Sequence, residues 1–138
     1  MAKTFKLQVV APDRPAVVED ATTVILPGEL GEFGVMAGHV PFLSTLKPGV
    51  MRVVKEGKRS LYFLAEGFAE VNGSSVTVLA EAYEKAEDID VEAAQKAIQK
   101  AGEKLSNQET IDDEAARQML ARAKARLKAV EEAKALKK

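Results

Sequence analysis

An Asn-Gly pair separates two segments that alternate apolar and polar residues in the stretch Phe68-Ala69-Glu70-Val71-Asn72-Gly73-Ser74-Ser75-Val76-Thr77-Val78-Leu79. Alternation with a period of two is typical of a strand that buries one face. Asn-Gly between two such segments is the strongest short signal for a β-hairpin. We therefore expect an antiparallel hairpin in this stretch.

The same pattern of short strands and turns extends back to the N-terminus. Further strand-like segments lie at residues 5–9, 24–26, 50–54 and 61–64, and the last two flank Glu56-Gly57-Lys58. All five prolines and eight of the nine glycines precede residue 75. Many short strands separated by turn residues predict a β-sandwich or barrel, which we place over residues 1–85.

After about residue 86 the apolar period becomes helical. We expect a first helix near residues 88–105, capped by Asp88 or Asp90. A second helix near residues 111–136 is expected to follow an N-cap Thr110, with Asp113 three residues later. The apolar stripes of the two helices are Ile89, Ala94, Ala97, Ile98, Ala101 and Leu105, and Ala116, Leu120, Ala123, Leu127 and Val130.

The predicted fold class is α+β: an N-terminal antiparallel β-sandwich, then a two-helix antiparallel hairpin over residues 86–138. The seam of this hairpin consists mostly of Ala. Burying Ala contributes much less than burying Leu, because each buried CH₂ contributes about 0.8 kcal/mol. We therefore expect a marginal hairpin that can leave the sandwich, as a switch element does.

Composition argues against catalysis. The 138 residues contain no Cys and no Trp, and His39 is the only His. We therefore find no nucleophile–base set and expect no metal site, and His39 is more typical of a structural loop residue. Gly28, Gly31, Gly34 and Gly38 lack the spacing of a phosphate-binding loop, so turns are their expected role.

The N-terminus has no apolar segment typical of a signal peptide, and no run approaches the roughly 18 apolar residues that would span a bilayer. We expect a cytosolic chain without direct membrane insertion, whose contact with a membrane depends on a partner.

Charge is distributed unevenly along the chain. Residues 117–138 contain eight basic residues against Glu131 and Glu132, whereas residues 66–92 contain eight acids against Lys85. A solvated basic helix end is one interpretation, and docking onto an acidic protein surface is another. Nucleic acid is a weaker third, because the net charge is −1 and aromatic residues make up only 5%.

One motif, in two parts, resembles a family signature: Gly31-Glu32-Phe33-Gly34-Val35-Met36-Ala37-Gly38-His39-Val40-Pro41, then Leu46-Lys47-Pro48-Gly49. It is similar to the pattern G-E-[LF]-G-x-x-P-G-H-x-P, followed by Pro-Gly, of ATP synthase epsilon subunits. Ala37 stands where that family usually has Pro. The first strand, the last hairpin and the second helix also resemble the family, so the resemblance covers essentially the whole chain.

The resemblance implies a non-catalytic rotor subunit of the central stalk of a bacterial F-type ATP synthase. It implies a ten-stranded sandwich with Glu32 facing the membrane c-ring and His39 near the gamma subunit. It also implies that Arg122, Arg126 and Lys128 of an extended second helix meet acidic residues of the beta subunit and restrain ATP hydrolysis. Such a subunit is peripheral, on the cytoplasmic face of the plasma membrane.

Some members of this family bind ATP between the folded-back helices through an [IL]-D-x-x-R-A motif and two arginines. In this chain Ile89, Asp90 and Ala94 match the motif and Arg122 and Arg126 match the arginines, but Ala93 replaces the motif's Arg. Guanidinium gives bidentate contacts to phosphate that Ala cannot supply. We expect no required cofactor and at most weak ATP binding. A small ATP sensor acting through hairpin folding is the alternative function, and an enzyme is disfavoured.

Overall fold

A computed structural model describes residues 3–106 and 113–136. In these residues ten strands precede two helices, which confirms the predicted α+β class. The strands are β1 (Phe5–Ala11), β2 (Arg14–Ala21), β3 (Thr23–Gly28), β4 (Gly31–Met36), β5 (Phe42–Leu46), β6 (Gly49–Lys55), β7 (Lys58–Leu64), β8 (Gly67–Asn72), β9 (Ser75–Ala80) and β10 (Tyr83–Lys85). A 3₁₀ turn at Ala86–Asp88 leads to α1 (Val91–Ser106), and α2 is Glu114–Leu136.

The strands form a sheet in the order β10-β7-β6-β3-β5-β8-β9-β1-β2, with β4 paired to β3. Strand β3 joins the two layers, because Val24 pairs with Val53 of β6 while Gly28 pairs with Leu46 of β5. The pairing of β1 with β9 is parallel, whereas the other ladders of the described strands are antiparallel. The predicted antiparallel sandwich is therefore correct except at this pair. A tight hairpin forces antiparallel pairing, but β1 and β9 are joined by a long stretch of chain that lets them run the same way.

The hairpin between β8 and β9 forms where it was predicted, but its turn lies one residue later. Asn72 pairs with Ser75, so the two loop residues are Gly73 and Ser74. The turn between β6 and β7 places Glu56 and Gly57 at φ angles of 52° and 76°. Positive φ at both central residues is the geometry of a type I′ turn, which matches the twist of the flanking strands.

The sandwich core lies between the two layers and follows from the alternation of the strands. In β1, Phe5, Leu7, Val9 and Ala11 are buried, and the residues between them are more exposed. They pack with residues of the other layer, which include Val24, Leu26, Met51, Val53, Tyr62, Leu64 and Tyr83. The Tyr83 hydroxyl donates to the Pro15 carbonyl at 2.7 Å, so β10 belongs to this core.

Both helices begin later than the sequence predicts. The 3₁₀ turn occupies Ala86–Asp88, and α1 begins at Val91 with Asp90 as its cap, since the Asp90 carboxylate accepts from the Ala93 amide at 3.0 Å. Helix α2 begins at Glu114, and its Asp113 carboxylate accepts from the Ala116 amide at 2.9 Å. Asp113 therefore acts as the cap and not as the third residue of a capping box. The predicted cap Thr110 lies outside the described residues.

Candidate functional site: the interface between the helical hairpin and the sandwich

Helix α2 lies across the outer face of β6 and β7, so the hairpin is folded back on the sandwich. A second apolar cluster, separate from the sandwich core, fills this interface. The sheet contributes Val50, Leu61, Phe63 and Ala65, and the helical unit contributes Ala86, Ile89, Ala125 and Ala129. We call these eight residues the interface cluster. The helix side of the cluster is mostly Ala, so it adds less apolar stabilisation than a Leu-rich interface would.

Two different faces of α2 are buried. Ala116 and Ala123, from the predicted stripe, are buried outside the interface cluster. Ala125 and Ala129, spaced by four residues, meet the sheet, and Ala133 packs beside them. This second face is not part of the predicted apolar stripe, although the spacing of four at 125, 129 and 133 was a signal for it.

On α2, Arg122 pairs with Glu66, which lies between β7 and β8. The Arg122 Nε donates to a Glu66 carboxylate oxygen at 2.8 Å, and the Arg122 NH₂ group contacts the same oxygen. The Gln118 amide donates to the other Glu66 oxygen at 3.1 Å. Less than a third of the Arg122 and Glu66 side chains is exposed, so water screens this pair less than it would a pair on the open surface.

Arg126, one turn further along α2, contacts the sandwich in two ways. Its Nε donates to the Glu84 carboxylate of β10 at 2.6 Å. Its guanidinium carbon lies 4.3 Å from the centroid of the Phe63 ring, within the range of a cation–π interaction. The same side chain therefore binds both β10 and a buried ring of the interface cluster.

A third ion pair has the opposite polarity, because the sandwich supplies the cation. Arg52 of β6 donates from Nε and from an NH₂ group to the two oxygens of Glu132 on α2, at 2.8 and 2.5 Å. Another Arg52 nitrogen donates to Glu32 of β4 at 2.5 Å. The hydrogen bond from Arg52 lowers the pKa of Glu132, against the opposing effect of burial, and the charges of Arg52, Lys128 and Arg59 lower it further.

These contacts make up three ion pairs that join the hairpin to the sandwich within the described residues: Arg122–Glu66, Arg126–Glu84 and Arg52–Glu132. We call them the hairpin ion pairs. Their acids and cations come from segments far apart in sequence, so helical periodicity could not predict which acid pairs with which cation. The excess of acids in residues 66–92 was the signal present in the sequence, and Glu66 and Glu84 belong to it.

The structure separates the remaining residues predicted for partner binding. Glu32 lies in β4 with 47% of its side chain exposed. His39 lies beyond the end of β4, where its ring packs 5.1 Å from the Phe42 ring and its Nδ1 is 2.9 Å from the Val40 carbonyl oxygen. Lys128 is exposed on α2, and its charge lowers the pKa of Glu132. The three positions thus lie on β4, in the loop after β4 and on α2.

Three of the five residues predicted for nucleotide binding line one cavity of about 240 Å³. They are Asp90, Ala94 and Arg126, and the rest of the lining is Glu84, Ala93 and Ala97. Ile89 is buried in the interface cluster instead, and Arg122 is bound to Glu66. The lining thus carries two carboxylates and one guanidinium, which already pairs with Glu84. This charge balance is unfavourable for a polyphosphate.

No helix in the described residues is long and apolar enough to span a membrane.

Residues 4–86 match the ATP synthase Delta/Epsilon chain beta-sandwich domain, and residues 87–131 match the Delta/Epsilon chain long alpha-helix domain. The chain belongs to the ATP synthase delta/epsilon family. The resemblance of the Gly31–Pro41 motif to that family is thereby confirmed.

Relatives within the delta/epsilon family match over most of the chain. The ATP synthase epsilon chain of Nitratidesulfovibrio vulgaris is 43% identical over 129 residues, which cover 93% of this chain and 96% of that relative. The ATP synthase epsilon chain of Desulfosudis oleivorans is 44% identical over 108 residues, 78% of this chain and 81% of that one. A chain in the Euglena gracilis mitochondrial ATP synthase structure (OSCP, F1 and c-ring) superposes with a TM-score of 0.70 at 28% identity, covering 98% of this chain and 82% of that chain.

Proposed function

We propose that this member of the delta/epsilon family is a non-catalytic subunit of the central stalk of an F-type ATP synthase. In this proposal it couples the gamma subunit to the c-ring and restrains ATP hydrolysis through its helices. The observation that supports the proposed restraint of ATP hydrolysis is the pairing of Arg122 and Arg126 with Glu66 and Glu84. Docking of α2 on acidic residues of the beta subunit would then exchange one set of carboxylates for another.

Such an exchange requires that the closed and the open hairpin differ little in free energy. The Ala-rich interface and a small set of partly exposed ion pairs supply modest stabilisation of the closed state. When the helix leaves, the partner's acids replace Glu66 and Glu84, so the arginines do not remain unpaired. This makes an extended state accessible without a large electrostatic penalty.

An exposed apolar surface on the other layer supports gamma as a partner. Phe68 of β8 pairs with Leu79 of β9, which pairs with Val10 of β1, so the three side chains share the outer face of this layer. Phe68 is 42% exposed, and Leu43 of β5, which pairs with Glu70 two residues further along β8, lies on the same face and is 67% exposed. A contiguous apolar patch on a soluble surface is typical of a protein contact site.

The tip of the hairpin between β3 and β4 supports the c-ring as a second partner. Leu30 at this tip is fully exposed, and Glu29 and Glu32 flank it. The two acids suit contact with hydrogen-bond donors on the polar loops of a membrane ring, and the exposed Leu30 between them suits an apolar contact. We propose peripheral attachment at the cytoplasmic face of the bacterial membrane through these partners.

Co-purification tests the proposal. The chain, expressed with the gamma subunit, should be isolated as a complex, and Phe68→Glu should abolish the complex while Glu70→Gln, on the same strand face, leaves it intact. A chain that remains monomeric beside folded gamma would overturn the proposal.

The alternative of an ATP sensor has one observation in its favour, the cavity that gathers Asp90, Ala94 and Arg126. Ala93 in this cavity and the pairing of Arg126 with Glu84 weigh against strong binding. We therefore propose ATP as a weak regulatory ligand at most, not as a required cofactor.

A further inference from the structure

Arg52 occupies the junction between the hairpin and the strand that carries Glu32. It lies in the middle of β6, paired with Ile25 of β3 on one side and Leu61 of β7 on the other. Only 11% of its side chain is exposed. A guanidinium in this position depends on nearby carboxylates, because removing a charge from water without a partner is costly.

Two carboxylates from different parts of the fold share this guanidinium. Glu132 of α2 receives two hydrogen bonds from it, and Glu32 of β4 receives one. Glu132 is present only while the hairpin is folded back. Glu32 is present in either state of the hairpin, since β4 belongs to the sandwich.

We infer that Arg52 is a positioning residue that couples the Glu32 surface to the state of the hairpin. The two carboxylates compete for its guanidinium, so that the departure of one strengthens the interaction of Arg52 with the other. When α2 leaves, Glu32 is the remaining counter-ion of Arg52, and their interaction strengthens. When Glu32 is drawn to another partner, Glu132 becomes the remaining counter-ion, and the closed hairpin is favoured.

The consequence for the assembly rests on the proposed function, in which Glu32 faces the c-ring. Engagement of Glu32 by donors of the ring would favour the folded-back hairpin. Extension of the hairpin would, by the same amount, make Glu32 less available to the ring, because coupling between two sites is reciprocal. Contact with the ring and restraint of hydrolysis would then be antagonistic.

The intramolecular part can be tested on the isolated full chain. The sequence contains no Cys, so Ser74→Cys and Lys124→Cys, both at exposed positions, allow two spin labels to be attached. Distance distributions between the labels give the ratio of open to closed hairpin, and sodium chloride is adjusted until both states are populated.

The two carboxylates should shift this ratio in opposite directions. Glu132→Gln should raise the open-to-closed ratio, and Glu32→Gln should lower it, each by about fivefold or more, which is the lower end of ordinary allosteric coupling. Glu131→Gln and Glu29→Gln remove the same charge from neighbouring positions and should change the ratio less than either. Arg52→Lys keeps the positive charge but loses the planar guanidinium that binds two carboxylates at once. In this background Glu132→Gln should still raise the open-to-closed ratio and Glu32→Gln should still lower it, each by a smaller factor.

The sign of the Glu32→Gln effect decides the inference. A purely structural role for Glu32 would leave the ratio unchanged or raise it, and either result would overturn the coupling. In Arg52→Gln, Glu32→Gln should no longer affect the hairpin; if Arg52→Gln fails to fold, the single Gln variants still decide. The measurement contains no partner, so failure to bind gamma would contradict the proposed function and leave this result untouched.

Discussion

The guanidinium of Arg126 stacks over the ring of Phe63 at 4.3 Å, although 63 positions separate the two residues in the sequence. Phe63 is a fully buried member of the interface cluster, and Arg126 lies over its ring while donating to Glu84. A residue predicted to bind a partner is therefore also one that holds the hairpin on the sandwich.

Replacement of Arg126 by Lys should loosen the hairpin while the net charge is kept. Lys cannot stack a planar group on Phe63 while directing an Nε donor to Glu84. The cation–π contact contributes about 0.5–1 kcal/mol at exposed sites, so we expect a loss of that order in the stability of the closed state. The open-to-closed ratio from spin-label distances measures it. Lys134→Arg, an exposed change on the same helix, serves as the control, and equal ratios for both variants would contradict the stacking role.

Neutralising the two acids that the sandwich contributes to the hairpin ion pairs should strengthen the proposed restraint of hydrolysis. Glu66→Gln with Glu84→Gln frees Arg122 and Arg126 for an acidic partner. Two pairs at about 0.2–1 kcal/mol each shift the open-to-closed ratio by roughly 2- to 30-fold. The ATPase rate of the reconstituted complex should fall accordingly. A rate that rises would contradict the exchange of carboxylates.

Removing the cations should have the opposite effect on the same assay. Arg122→Ala, Arg126→Ala and Lys128→Ala together should open the hairpin, but they delete the groups that we propose bind the beta subunit. We expect a higher ATPase rate and unchanged assembly. The matched control replaces Lys96, Lys100 and Lys104 of α1 by Ala, which removes three positive charges from the other helix. Equal rates for the two triple variants, across a range of salt, would count against docking.

Acid should open the hairpin through Glu132. Its pKa is lowered from the ordinary value of 4.5 in the folded-back state, chiefly by the hydrogen bond from Arg52. The closed state therefore binds fewer protons than the open state, so this stabilisation is complete above the ordinary pKa and is lost as the pH falls through the lowered one. Spin-label distances should show more open hairpin below about pH 4.5. Circular dichroism checks that the sandwich stays folded. In Glu132→Gln, the open-to-closed ratio should change less steeply with pH.

A truncated chain of residues 1–85 should remain folded and bind gamma. Its core cluster is separate from the interface cluster, and it keeps Tyr83, whose hydroxyl bonds to Pro15. Truncation exposes Val50, Leu61 and Phe63, so lower solubility is expected. Cooperative thermal melting would support independent folding, whereas an unfolded circular dichroism spectrum would refute it.

Binding of ATP to the isolated chain should be weak or absent. Loss of one charge-assisted contact at Ala93, worth about 1.5–3 kcal/mol, corresponds to about 10- to 150-fold in affinity. Isothermal titration measures it, and micromolar affinity would refute the expectation. Ala93→Arg with Glu84→Gln should tighten binding, since it adds a guanidinium and removes the carboxylate that occupies Arg126.

The sequence by itself determined the two units and their order. Period-two alternation with turn residues predicts the strands, and a helical period predicts α1 and α2, because both signals come from neighbours a few residues apart. The Gly31–Pro41 motif indicated the family and predicted a role for Glu32, whereas Arg122 and Arg126 were predicted from the resemblance of the second helix.

Only the tertiary structure decided how these parts meet. Residues 52 and 132, or 66 and 122, are brought together by strand pairing and by docking of α2, and no local pattern encodes such a pairing. The parallel pairing of β1 with β9 and the burial of Ala125 and Ala129 also depend on contacts between distant segments. The partners of the basic helix in the folded-back state are therefore residues of the chain itself, because docking of α2 on β6 and β7 brings their carboxylates within hydrogen-bonding distance of its arginines.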